Sequence, residues 1–172
     1  MRFLALTIAG SAALFGANAD AQTPSATEEI FGSWKFLCPS AEAPCRSFLS
    51  IADAETGQVQ LTWTFLYDGK TDQLSAVINV PLGVALQPGL RVIDANETAH
   101  IEVPFQVCDG TGCRAVAANI GATQIDGLST GDSVNVQFVP YGHNYLASFA
   151  VPTSGLKSAV EALKTSVARV DE

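Results

Sequence analysis

The 172-residue chain predicts an all-β sandwich or barrel that ends in a single helix. Three observations carry that reading. Short segments with a two-residue apolar period recur through the middle of the chain. Turn residues separate them at close spacing, as in Asp68-Gly69, Gln87-Pro88-Gly89, Asp94-Ala95-Asn96, Asp126-Gly127, Thr130-Gly131-Asp132 and the stretch Tyr141–Asn144. The last twenty residues switch to a helical period.

The elements follow in order. Arg2 precedes an apolar run from Phe3 to about Phe15, and Ala17-Asn18-Ala19 and Ala19-Asp20-Ala21 follow it. A basic start, a short apolar stretch and an A-x-A site form a secretory signal peptide. The run is shorter than the roughly 20 apolar residues a bilayer span needs. Residues 1–21 are therefore expected to be removed, with cleavage after Ala21 or, alternatively, after Ala19. No integral membrane segment is expected in the mature chain. Residues 22–30 are polar and are expected to be a flexible leader, residues 31–152 the sandwich domain, and residues 153–172 the amphipathic helix.

Within the domain, Val59, Leu61, Trp63, Phe65 and Tyr67 alternate with Gln60, Thr62 and Thr64. Val134, Val136 and Phe138 repeat the pattern. The run "AHIEVPFQVC" reads as one strand, with Ile101, Val103, Phe105 and Val107 on one face and His100, Glu102 and Gln106 on the other. Further strands are expected at Trp34–Cys38, Cys45–Ile51, Leu74–Val80, Leu90–Ile93, Arg114–Ile120 and Tyr145–Val151. In "SGLKSAVEALKTSVARV", Leu156, Val160, Leu163, Val167 and Val170 share one helical face, with Lys157, Glu161 and Lys164 opposite. Thr153 or Ser154 is the expected cap. Such a face either covers an open end or edge of the sandwich or docks a partner.

The formal charge is −8 from 17 acidic and nine basic residues. Losing Arg2 and Asp20 with the signal leaves it unchanged. An acidic surface without a basic stripe excludes nucleic acid as a partner and disfavours anionic lipid. A mature chain of about 150 residues suits one domain.

Cys38, Cys45, Cys108 and Cys113 in an exported chain read as two disulfides. Three pairings are possible in principle. Local pairing, Cys38–Cys45 and Cys108–Cys113, is the simplest because each pair flanks a turn-like segment, "CPSAEAPC" and "CDGTGC". Neither spacing is the C-x-x-C of redox proteins, and the two histidines, His100 and His143, do not complete a zinc pattern. No metal, cofactor or catalytic residue is expected. No G-x-S-x-G, H-E-x-x-H or phosphate-binding glycine loop occurs. His100 and Glu102 could share a strand face, but such pairs are common on solvated surfaces.

"PLGVALQPG" allows two readings. Leu82, Val84 and Leu86 either pack into the core from a kinked crossing strand, or form a partly exposed apolar lip that grips a ligand or peptide.

The stretch "NVPLGVALQPGLRVIDANETAHIEVPFQVCDGTGCRA", residues 79–115, resembles the invasion-associated locus B family of exported bacterial proteins. The matching pieces are "PLGVALQPGLRV", "DAN", "PFQVC" and "GCRA". Upstream, "FGSWKFLC" with Cys45 resembles the family's opening strand and first cysteine pair. The likeness covers about Phe31 to Val151. At the end "VPTSGLKSAVEALK" departs from the serine, leucine, glycine and phenylalanine stretch of relatives. The resemblance implies an immunoglobulin-like antiparallel β-sandwich, located in the periplasm or at the outer surface, in a family associated with host-cell invasion in some pathogens. The function expected is a non-catalytic exported binding domain with a protein or envelope-surface partner. The alternative is a periplasmic chaperone-like or envelope-stress factor.

Overall fold

A computed structural model describes residues 26–40 and 43–168. The strands are β1 (Thr27–Phe31), β2 (Trp34–Cys38), β3 (Arg46–Ala52), β4 (Val59–Asp68), β5 (Gln73–Val80), β6 (Leu90–Ile93), β7 (Ala99–Val103), β8 (Phe105–Asp109), β9 (Gly112–Ala117), β10 (Ser133–Phe138) and β11 (Ala147–Pro152). Two helices, α1 (Ala122–Leu128) and α2 (Leu156–Ala168), complete the described residues. The signal segment and Val170 lie outside them.

The strands form two antiparallel sheets, one of order β1-β2-β3-β4-β5-β9-β8 and one of order β11-β10-β6-β7. This is the antiparallel, immunoglobulin-like sandwich with a C-terminal helix that the sequence predicts. The alternation in β4 and β10 sets its core: Leu61, Trp63, Phe65, Val134 and Val136 are all buried.

The seven-stranded sheet is too wide for the four-stranded one to cover. Phe105 of β8 packs edge-on against Phe138 of β10, so the smaller sheet lies over the β9–β8 half. Helix α2 lies against β1–β4. It buries Leu156, Ala159, Val160 and Leu163 over Trp34, Trp63 and Phe65, whose rings lie 5.4–5.7 Å apart. The helix is thus a second cover for the inner face of the large sheet, where a cap on an open end or edge was the expectation. Its entry is tight. Gly155 has φ +85°, and a Cβ there would overlap the Phe31 carbonyl. The Thr153 hydroxyl does not cap the helix but donates to the Gly131 carbonyl.

Several segments differ from the sequence reading. The leader expected through residue 30 ends earlier, because β1 begins at Thr27 and pairs along its length with β2. Four of its five residues are exposed, so it carries no apolar alternation to read. The run read as one strand from Ala99 to Cys108 is two strands in different sheets. Pro104, without an N–H to give a ladder, marks the crossing. Bulges on either side shift the faces: His100 is the extra residue opposite β6, and Gln106 the extra residue opposite β9. Val107 is consequently exposed rather than facing the core with Phe105. Residues 118–120 leave the sheet after β9, and Asp126-Gly127 lies inside α1 rather than in a turn. Lys164 does pair with Glu161, at 3.8 Å, but Lys157 reaches across to Asp126 of α1 at 2.6 Å.

Candidate functional site: an apolar groove at the sheet edge

After β5 the chain must cross from the large sheet to the small one, and Pro81–Gly89 makes that crossing. Gly83, at φ +96°, allows the bend. Its carbonyl accepts a bond from the Tyr141 N–H at 2.7 Å, and the Ala85 N–H donates to the Val139 carbonyl at 2.8 Å. An isolated bridge between Val84 and Pro140 lies between these bonds. The crossing segment and the β10–β11 loop therefore brace one another.

This bracing divides the three residues of the motif. Val84 is 7% exposed and belongs to the core, whereas Leu82 and Leu86 are 58% and 55% exposed. The central valine packs inward, as a kinked crossing strand would have it, and the two flanking leucines are exposed. The pairing with Pro140 decides this, and that contact joins residues 56 positions apart.

The lip faces a groove of about 560 Å³, whose lining is mainly apolar. Its far side is the bridge between Cys108 of β8 and Cys113 of β9, and Tyr141 borders it with 77% of its surface exposed. The structure bonds Cys38 to Cys45 and Cys108 to Cys113, and the described residues hold no free cysteine. No charged residue lines the groove. That is notable in a chain of net charge −8. Tyr141 was read in the sequence only as a turn residue. Its signal was a large side chain inside a turn-rich stretch, "PYGHNYL", where small polar residues are the norm. His143, from the same loop, lies beside Tyr145, with ring centres 5.1 Å apart and the ring planes tilted by 52°.

The other cluster of polar side chains is structural in its contacts. The bulge at His100 turns its ring away from Glu102, so the pair weighed in the sequence is not formed. His100 Nε2 instead lies 3.2 Å from Asp94 Oδ2, and the ring backs onto Gly127, where a Cβ would run into it. Gln124 donates to the His100 carbonyl at 3.0 Å and accepts from the Gly121 N–H at 2.9 Å, which ties α1 to β7. Asp94 Oδ1 accepts from the amides of Asn96 and Thr98 at 2.8 and 2.9 Å. These bonds, the Thr98 amide foremost and His100 after it, hold the Asp94 carboxyl below its ordinary value. Among the described residues, no group of three or more His, Cys, Asp or Glu side chains is arranged to hold a metal ion. No helix among them is long and apolar enough to cross a membrane.

The family model described as "Invasion associated locus B (IalB) protein" matches residues 34–164. The crystal structure of invasion associated protein B from Bartonella henselae is similar in fold, with a TM-score of 0.70 and 17% sequence identity. The match covers 85% of this chain and 99% of that one. No curated protein sequence matches the chain. The family and the two disulfides point to an exported protein.

Proposed function

Because the chain belongs to the invasion-associated locus B family, we propose that it is a non-catalytic binding domain of the bacterial envelope that holds a partner protein by its apolar lip. The observation that carries this reading is the groove itself. It is open, charge-free and apolar, and it is flanked by leucines and a tyrosine in water. Exposing such side chains is unfavourable in an isolated domain, and contiguous apolar patches of this kind mark interaction sites. The rigidity of the lip supports the reading too. Both walls are braced by main-chain bonds, so little ordering cost remains to be met on binding.

In this reading the protein works in the periplasm or at the outer surface, after removal of residues 1–21. The association with invasion that the family name carries would be one use of such a surface. The test is a photoreactive residue placed at position 86 in living cells, with position 165 on the exposed side of α2 as the control. A discrete adduct at position 86, lost when Leu82→Ser is added, is the expected result. Equal labelling at both positions would overturn the reading.

A second reading is chaperone-like shielding of envelope proteins, favoured by the same unselective apolar lining. Suppression of aggregation of a denatured client, lost in Leu82→Ser/Leu86→Ser, would establish it over a dedicated partner.

A further inference from the structure

We infer that the bridge between Cys108 and Cys113 is a redox-sensitive switch. A dithiol opens it ahead of the bridge between Cys38 and Cys45, and the end of β8 then comes loose from its sheet and takes one wall of the groove with it. The inference goes beyond the binding role proposed above and needs no partner. Three observations carry it.

First, the two bridges stand in different surroundings. Cys38 and Cys45 are both half-buried and pack against the core. Cys108 is exposed, and only its partner Cys113 is buried. Thiols reach exposed disulfides more readily than buried ones, and the exposed ones are the labile class. Both Cys108 and Cys113 line the apolar groove, so the groove itself gives access to the bridge.

Second, little else holds the end of β8. It is the terminal strand of the seven-stranded sheet and is bonded on one side, to β9. Cys108 and Cys113 are opposite one another with Cα atoms 4.0 Å apart, the close spacing of a non-hydrogen-bonded pair. At this pair the bridge is therefore the link between the strands. Main-chain bonds flank it at Val107 and at Asp109, and the bulge at Gln106 interrupts the ladder just before them.

Third, the stretch lies outside the packing. Every residue from Gln106 to Thr111 is exposed. The Asp109 carboxylate accepts from the Thr111 amide and hydroxyl, inside the same turn. Ahead of the stretch Phe105 is buried edge-on against Phe138, and behind it Cys113 belongs to the core. These two residues mark the ends of the segment that reduction frees.

The reductant is a dithiol. One of its thiolates attacks Cys108 Sγ, the bond between the cysteines breaks, and Cys113 leaves as a thiolate that takes up a proton. The second thiol of the reductant then displaces Cys108, which is protonated in turn, and the reductant closes into its own disulfide. Two electrons and two protons pass from the dithiol to the pair. Residues 106–111 then fray from β9, and the groove loses the wall that faces Leu82 and Leu86. Reoxidation restores it.

The experiment uses the mature chain and dithiothreitol, with timed quenching by iodoacetamide and peptide mapping of all four cysteines. Cys108 and Cys113 should be alkylated together, about tenfold or more sooner than Cys38 and Cys45. In the same partly reduced sample, hydrogen exchange at the amides of Val107 and Asp109 should quicken by about tenfold or more, while β4 and α2 stay protected. Removing the reductant in air should reverse both changes. Cys108→Ser/Cys113→Ser should show the same fast exchange with no reductant present; if that variant does not fold, the partly reduced wild type still decides. Opening of Cys38–Cys45 first, or of both bridges together with loss of protection in β4, would overturn the selectivity. Val107 and Asp109 remaining protected after Cys108–Cys113 has opened would overturn the release of β8. Release that does not reverse would show damage rather than a switch. None of these results bears on the binding reading, since no partner is present.

Discussion

The hydroxyl of Ser47, on β3, donates to the backbone carbonyl of Ala159, in α2, at 2.7 Å, with both residues fully buried. It is a polar link across an apolar interface, between residues 112 positions apart. A buried hydroxyl without a partner would be costly, so the serine is compatible with this position only when the helix is docked there. Replacing Ser47 with alanine should lower stability by about 1 kcal/mol, or roughly 2–4 °C in melting temperature for a chain of this size. Circular dichroism melts check it. An unchanged melting temperature would mean that the helix does not rest on β3.

Leu163 tests the same interface through packing. It is completely buried between α2 and the aromatic cluster. Leu163→Ala should cost roughly 2–5 kcal/mol, the usual range for emptying such a site. Thr165→Ala, on the exposed side of the helix, should cost almost nothing. A chain ending at Thr153 should lose more than Leu163→Ala does, because it uncovers Trp34 and Trp63 together. Equal melting of all three variants would show α2 to be a free amphipathic tail.

Acid should destabilise the fold through its loops. Asp53, Asp68, Asp94 and Asp109 each accept bonds from nearby amides or threonine hydroxyls, and each carboxyl is held below its ordinary value of 3.8. The leading causes are the Thr56 amide for Asp53, the Thr71 hydroxyl for Asp68, the Thr98 amide for Asp94 and the Thr111 hydroxyl for Asp109. A lowered folded-state pKa contributes stability that is fully present above 3.8 and is lost as pH falls through the folded value. Melting temperature should therefore drop below about pH 4. The drop should be shallower in Asp94→Asn, which keeps the acceptor oxygen and removes the titration. Identical pH profiles would count against a role for this carboxylate.

The covalent pairing can be read directly. Non-reducing peptide mapping should give linked peptides containing Cys38 with Cys45 and Cys108 with Cys113. A peptide joining either early cysteine to either late one would contradict the structure. Cys108→Ala/Cys113→Ala should lower stability by roughly 2 kcal/mol from loop closure alone.

Processing is tested by sequencing the N-terminus of the protein recovered from cells. Gln22, or otherwise Asp20, should come first. Recovery of intact Met1 would show that residues 1–21 are not removed.

Much of this architecture was legible because the signal lies in local spacing. The two-residue period of Leu61, Trp63 and Phe65 and the three- and four-residue steps of Leu156, Val160 and Leu163 determined strand, helix and core face before any contact was known. The groove was half legible. Leu82 and Leu86 stood out as apolar residues in a glycine- and proline-rich stretch, but their exposure did not. Tertiary structure decided that by pairing Val84 with Pro140, which draws the valine inward and leaves the leucines outside. It also decided that β8 ends its sheet beside them, that Pro104 and two bulges split one apparent strand between the two sheets, and that His100 meets Asp94 rather than Glu102. β1 and the short helix α1 went unread for a related reason: one is held by the ladder to β2 and the other by Gln124 and burial of Ile125 and Leu128, and neither is held by an amphipathic period. Periodicity reports which side of an element is apolar. Which elements meet on that side depends on contacts between residues far apart in the chain, and local spacing carries no record of those.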